Sequence, residues 1–165
     1  MTRGPDVSRL GPSDALAALR SFPRRFRAAV ALRDDEDDSV LRRVGPDGAS
    51  AAEHVDRAGR TLAVLDRALQ QVLASDNPAL HPGVVDESAR EFTGESPSVE
   101  AALDLVELEA GAMAETVDPV DADAWLRTGT VAGGGTVTAL DIVREAVRSV
   151  AAELADTEKA VSAAR

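Results

Sequence analysis

Between residues 50 and 74 the apolar side chains Ala51, Val55, Ala58, Leu62, Leu65, Leu69 and Val72 return every three or four positions. That spacing lays one apolar stripe along a helix of about 3.6 residues per turn, not the two-residue alternation of a strand. A stripe must be buried against another element, and three further stretches supply matching ones. Leu16, Leu19, Phe22, Phe26 and Val30 mark a helix over residues 13–32. Pro23 lies inside it without an N–H to donate, so a kink or a break is expected there. Val99, Leu103, Val106, Ala110, Met113 and Val117 mark another, with Ser96 as its cap and Pro97 at its first helical position. Leu140, Val143, Val147, Val150, Leu154 and Val161 mark the last, starting near Thr138. "SAAE" (residues 50–53) and "TALD" (residues 138–141) fit capping boxes, in which two side chains satisfy free N–H groups of the first turn. Four amphipathic helices predict an all-α chain folded as a four-helix bundle.

The links carry weaker signals. "RDDEDD" (residues 33–38) reads as a solvated turn, since no glycine-bearing calcium-loop pattern surrounds it. "VGPDGAS" is turn chemistry, and the two prolines and glycine of "SDNPALHPG" end the second helix. Residues 75–96 read as a long loop with a short helical piece around 87–92. Trp125 is expected as a lid over one end of the bundle. "GTVAGGGTVT", ahead of the last helix, is the one place for a small hairpin. Its "GGGT" (residues 133–136) lacks both the P-loop lysine and the G-x-G-x-x-G spacing, so it reads as a loop and not a phosphate cradle. Residues 1–12 are expected as a flexible N-terminus, and 13–165 as a single domain.

With three Phe, one Trp and no Tyr, the core must be built from Ala, Leu and Val. A net charge of −11 argues against nucleic acid and against an anionic membrane surface. The absence of Cys excludes disulfides, thiolate catalysis and zinc–thiolate sites. No apolar run approaches the ~20 residues of a membrane span, and "MTRGPDVSRLGPSD" lacks a secretory apolar segment, so a cytoplasmic protein is expected. No G-x-S-x-G elbow and no Glu-x-x-His pair occurs. Glu100, Asp104, Glu107 and Glu109 lie mostly off the apolar stripe and read as solvated. The two histidines, His54 in the first turn of its helix and His81 in a proline-flanked loop, do not share a local motif.

The order and spacing of these pieces over residues 13–162 resemble the DinB-like family of four-helix bundles. The resemblance is greatest to the actinobacterial branch related to mycothiol-dependent maleylpyruvate isomerases. "ALAALRSFPRRFRAAVALRDDEDD" is similar to that family's first helix, internal proline included. "GPDGASAAEHVDRAGRTL" resembles a stretch that often reads G-x-W-S-x-x-E-x-V-x-H, with Ala49 in place of the Trp and Ser50 and Glu53 matching. "DADAWLRTGTVAGGGTVTALDIVREAVRSVAAELAD" resembles the family's Trp, glycine-rich link and final helix, which commonly carries H-x-x-x-H.

The resemblance implies a divalent ion held by three histidines. The aligned positions here are Arg57, Arg148 and Ala152. A guanidinium has no lone pair for a metal. It also repels a cation by ~4 kcal/mol per charge pair at ~4 Å and an effective dielectric of ~20. His54 lies three residues before the expected ligand. The chain is therefore expected to have lost the metal site, to carry no metal or cofactor, and to be a binding or structural protein of unknown ligand. The alternative is a thiol-dependent (mycothiol-type) transferase or isomerase-like enzyme with an altered site and His54 as base. A third reading is a metal site with an altered His/carboxylate shell. Arg57, Arg148 and Glu153 are the candidate pocket for a small anionic or thiol ligand. The competing reading is a salt-bridge network drawing on Glu53, Glu145 or Glu153. A homodimer is expected if an apolar face remains.

Overall fold

The computed structural model describes residues 4–90 and 98–165. Each apolar stripe becomes the buried face of a helix: α1 (Pro12–Ala29), α3 (Ala51–Ala74), α4 (Val99–Val117) and α5 (Ala139–Ala164). Leu19, Phe22, Phe26, Leu62, Leu65, Leu69, Met113 and Ile142 are fully buried in one core. α3 packs against α4 and α5, and α1 packs against the same two. So α1 and α3 stand at opposite corners of the bundle, and α4 faces α5 across it. Helices adjacent in the chain are thus diagonal in two of three cases, and long links must cross the bundle ends.

Both capping boxes form. The Ser50 hydroxyl accepts from the Glu53 N–H at 3.3 Å, and Glu53 Oε2 accepts from the Ser50 N–H at 2.7 Å. Thr138 and Asp141 exchange the same pair of bonds at 3.1 and 2.9 Å. α1 runs in one piece through Pro23, where a kink or break was the expectation, and stops at Ala29. Ser96, Pro97 and Phe92 lie outside the described residues. α4 begins at Val99, where the Ser98 hydroxyl accepts from the Ala101 N–H at 3.1 Å.

The links hold more structure than their composition announces. Ser39–Arg42 forms one turn of helix, α2, that buries Val40 and Leu41. The hairpin before the last helix is present as β2 (Thr128–Val131) and β3 (Gly135–Thr138), antiparallel, with Thr128 opposite Thr138. Its turn needs Gly133 and Gly135 at φ of +72° and +77°, a region that glycine enters without steric cost. A third strand, β1 (Ala79–Leu80), pairs in parallel with β2, Ala79 opposite Thr130. β1 comes from the stretch read as loop, because two residues carry no alternation to detect. Gly129 makes room for it, since a Cβ there would sit 2.5 Å from Leu80 Cδ1. Trp125 lies in a 3₁₀ turn (Ala122–Leu126) and is 6% exposed. Ahead of α1, Val7 and Leu10 pack on the core and Gly4 lies against Arg148. No helix among the described residues is long and apolar enough to cross a membrane.

Two helical glycines make opposite predictions. A Cβ at Gly59 would meet Leu105 Cγ at 2.7 Å and the Val106 N at 3.2 Å, whereas one at Gly111 meets nothing within 4 Å. Both Ala substitutions gain helix propensity of about 1 kcal/mol. Only Gly59→Ala also overpacks the α3–α4 contact, at a cost of about 1–3 kcal/mol. Urea titrations should place Gly111→Ala above the parent and Gly59→Ala below Gly111→Ala by that difference.

Candidate functional site

The capping box that starts α3 places His54 on the helix face turned toward α5. It is 2% exposed. Its Nδ1 lies 2.7 Å from Glu153 Oε2 on α5. Just before α3, Val44 and Ser50 form a bridge that closes a tight turn, with the Gly45 N–H donating to the Ala49 carbonyl at 2.7 Å. Gly48 takes a φ of +88° in this turn. Gly45 lets the turn rest on α5, since a Cβ would sit 3.0 Å from that of Ala160. The turn presents Asp47. Its Oδ1 accepts from the Ala49 N–H at 3.3 Å, and its Oδ2 lies 3.1 Å from His54 Nε2. Asp156, one turn below Ala152 on α5, completes a group. One ligand atom each from Asp47, His54 and Asp156 lie within 4.8 Å of one another.

His54 Nε2 is the telling atom. It is buried and 3.1 Å from a carboxylate oxygen, yet it makes no well-formed hydrogen bond among the described residues. If Nδ1–H donates to Glu153, a neutral ring turns the lone pair of Nε2 toward an oxygen lone pair. Such a contact is repulsive unless a cation, proton or metal, relieves it. Burial alone pushes the His54 pKa down, but the hydrogen bond and charge of Glu153 and the charge and close polar contact of Asp47 outweigh it and hold it above the ordinary value. For Asp47, burial pushes up and is outweighed by the Ala49 N–H and His54, so its carboxyl sits below the usual range.

The positions singled out by sequence are divided between networks. Arg148 donates to both oxygens of Glu145, at 2.8 and 2.7 Å, and pairs with Glu87. Arg90, with its side chain 2% exposed, joins them through Glu145 at 2.8 Å, Ser149 Oγ at 3.0 Å and the Gly83 carbonyl at 2.6 Å. Glu153 belongs instead to His54. Arg57 and Ala152 are half-buried. No hydrogen bond or ion pair joins Arg57, Arg148 and Glu153 to one another among the described residues. The loss of metal binding expected from Arg57, Arg148 and Ala152 is not shown, because Asp47, His54 and Asp156 form a separate candidate group one helical turn along the bundle.

Asp47, Glu87 and Arg90 were not singled out by sequence. Asp47 is hidden in "GPDG", where it reads as a turn residue. Asp156 stands where the resembled final helix has the Asp of its His-Leu-x-Asp stretch, four positions after Ala152 and so on the same face of α5, but it was not read as a ligand.

No family model matches the chain, and no curated protein does. Among solved structures it is similar to YfiT from Bacillus subtilis, described as a probable metal-dependent hydrolase with an unusual four-helix bundle topology. The TM-score is 0.77 at 16% identity, over 97% of this chain and 91% of that one. At that identity the likeness shows the fold. This chain has the YfiT-like four-helix bundle with a small three-stranded sheet before its last helix. The likeness says nothing of the mycothiol-related branch.

The Glu145 network has a measurable signature. Burial pushes the Glu145 pKa up, but the hydrogen bonds from Arg148, Arg90 and Ser149 outweigh it and hold it low. A carboxyl whose folded-state pKa lies below its unfolded value contributes stability above the unfolded value, about 4.3 for Glu, and loses it as pH falls through the folded value. The urea midpoint should therefore drop on acidification below about pH 4, and Glu145→Gln should flatten that drop. At pH 7 Glu145→Gln should cost about 3 kcal/mol, because it leaves buried Arg90 without its carboxylate. Arg57→Gln should stay within about 0.5 kcal/mol of the parent.

Proposed function

We propose that this chain is a divalent-cation-binding protein whose ion is held by His54 Nε2 with carboxylate oxygens of Asp47 and Asp156. The observation that carries the reading is the buried Nε2, without a hydrogen bond and 3.1 Å from Asp47 Oδ2, in a residue group with Asp156 whose ligand atoms lie within 4.8 Å of one another. The donor set fits. One imidazole and two carboxylates suit zinc, manganese or iron(II) better than calcium, which takes six to eight oxygens. Donors that share an ion at ~2.1 Å lie roughly 3–4 Å apart, within the 4.8 Å that bounds the ligand atoms of this group. Glu153 plays the supporting part usual for a ligating histidine. It accepts from Nδ1–H, fixes the tautomer and keeps the Nε2 lone pair for the ion. The turn that carries Asp47 is already folded by its own backbone bonds. A bound ion would supply Lewis acidity, the kind of chemistry in keeping with the description of the Bacillus subtilis protein.

The Arg90–Glu145–Arg148 network has a different role in this reading. It fills and braces the place where the resemblance put the ion, and its carboxylate is taken up by three donors. The opposite reading, a binding or structural protein without a metal, is the other outcome of the same experiment.

Tag-free protein, stripped with chelator and titrated calorimetrically with zinc and manganese, should bind one ion per chain and gain thermal stability from it. His54→Ala and Asp156→Asn should abolish binding. Glu153→Gln should weaken it by about 10–100-fold. Arg57→Gln should leave it unchanged. No binding at millimolar metal, or equal binding by His54→Ala, would sink the proposal and leave the metal-free reading.

A further inference from the structure

A second feature of α3 lies outside the metal group. Toward the helix's C-terminal end, a cleft of about 320 Å³ opens between α3 and the β1 segment. Val64, Ala68 and Ala79 wall it, and its polar lining is Arg67, Gln71 and His81. Among the described residues no acidic side chain lines it, although the chain carries 29 acidic against 18 basic residues. Arg67 and Gln71 are four apart on one helix and so project from the same face. Neither side chain is engaged in a hydrogen bond or ion pair among the described residues, although Arg67 lies within electrostatic reach of Glu109 on α4. By contrast, Arg20, Arg27, Arg60, Arg127, Arg148 and Arg165 are each paired with a carboxylate.

His81 is held in a fixed sense. Its Nδ1 accepts from the Gly83 N–H at 3.0 Å, which needs a lone pair there and puts the ring proton on Nε2. The ring presses so closely on Gly83 that a Cβ at that position would lie 2.9 Å from Nδ1. The cleft therefore collects a guanidinium fork, an amide and an imidazole N–H around short aliphatic walls.

We propose that this cleft binds a small carboxylic acid, its carboxylate taken by Arg67 with Gln71 and His81 and its short alkyl part lying on Val64, Ala68 and Ala79. The planar fork of Arg67 matches a carboxylate through two parallel N–H···O bonds. The volume is at the small end of ligand sites, which suits a branched acid of a few carbons and not a nucleotide. The site is independent of the metal group. His54 and Arg67 are separated by about 20 Å along α3 at ~1.5 Å per residue.

The test uses ¹⁵N-labelled, tag-free, chelator-stripped full chain, titrated with isobutyrate and, separately, with isobutyramide, which has the same shape without the charge. Isobutyrate should give saturable shift changes confined to residues 63–71 and 79–83, with a Kd in the millimolar range. Arg67→Gln should weaken binding at least about tenfold, the loss of a charge-assisted fork. Arg24→Gln, on an exposed face of α1, should not change it. Three results would overturn the proposal: no saturation by about 50 mM isobutyrate, equal binding of the amide, or unchanged affinity in Arg67→Gln. Because the metal is stripped first, failure here leaves the cation reading standing, and the reverse also holds.

Discussion

α3 lies against both α4 and α5, and side chains of modest size must fill the gaps between them. With Ala, Val and Leu supplying most of the core, the helices have to approach closely or leave voids. Gly59 allows a close approach on the α4 side, where a Cβ would meet Leu105 Cγ at 2.7 Å. This close packing fixes the rotation of α3 about its own axis, and the capping box of Ser50 and Glu53 fixes where the helix starts. Together they set the direction of every α3 side chain. A shift of one residue in that start would rotate His54 by about 100° and take it away from Glu153 and Asp47.

Two polar clusters sit along the α5 face that α3 and the preceding links cover. Around Glu145, donors and acceptors balance. One carboxylate receives bonds from Arg90, Arg148 and Ser149, so a buried guanidinium is tolerated. Around His54 they do not balance. Nδ1 has Glu153, while Nε2 has a carboxylate nearby and no hydrogen bond. Buried polar groups left unmatched are costly and uncommon, and they tend to mark places where something else belongs. The same contrast separates bracing from binding in two clusters only about two turns apart on one helix.

The fold was largely legible. Four stripes at helical spacing, two capping boxes and the glycine-rich hairpin all reappear, because each is written in contacts within a few residues of itself. α2 and β1 were not legible, since elements of four and two residues carry no period. The unbroken passage of α1 through Pro23 was not legible either: the tertiary packing of Leu19, Phe22 and Phe26 holds the helix on both sides of the missing bond. At the site, the sequence pointed to His54, Arg57, Arg148, Ala152 and Glu153 by alignment of motifs. It had no means of knowing that Glu153 turns to His54 and Arg148 to Glu145 and Glu87.

By itself, then, the sequence determined an all-α bundle, the two helix starts marked by capping boxes and an interior poor in aromatic groups, because periodicity and capping are local and act along a single helix. Only the tertiary structure decided which charges meet. Asp47 stands in a turn, His54 on α3, Asp156 on α5 and Arg90 in a distant link. Their encounters depend on helix rotation and on links that cross the bundle ends, quantities that no short window of residues contains.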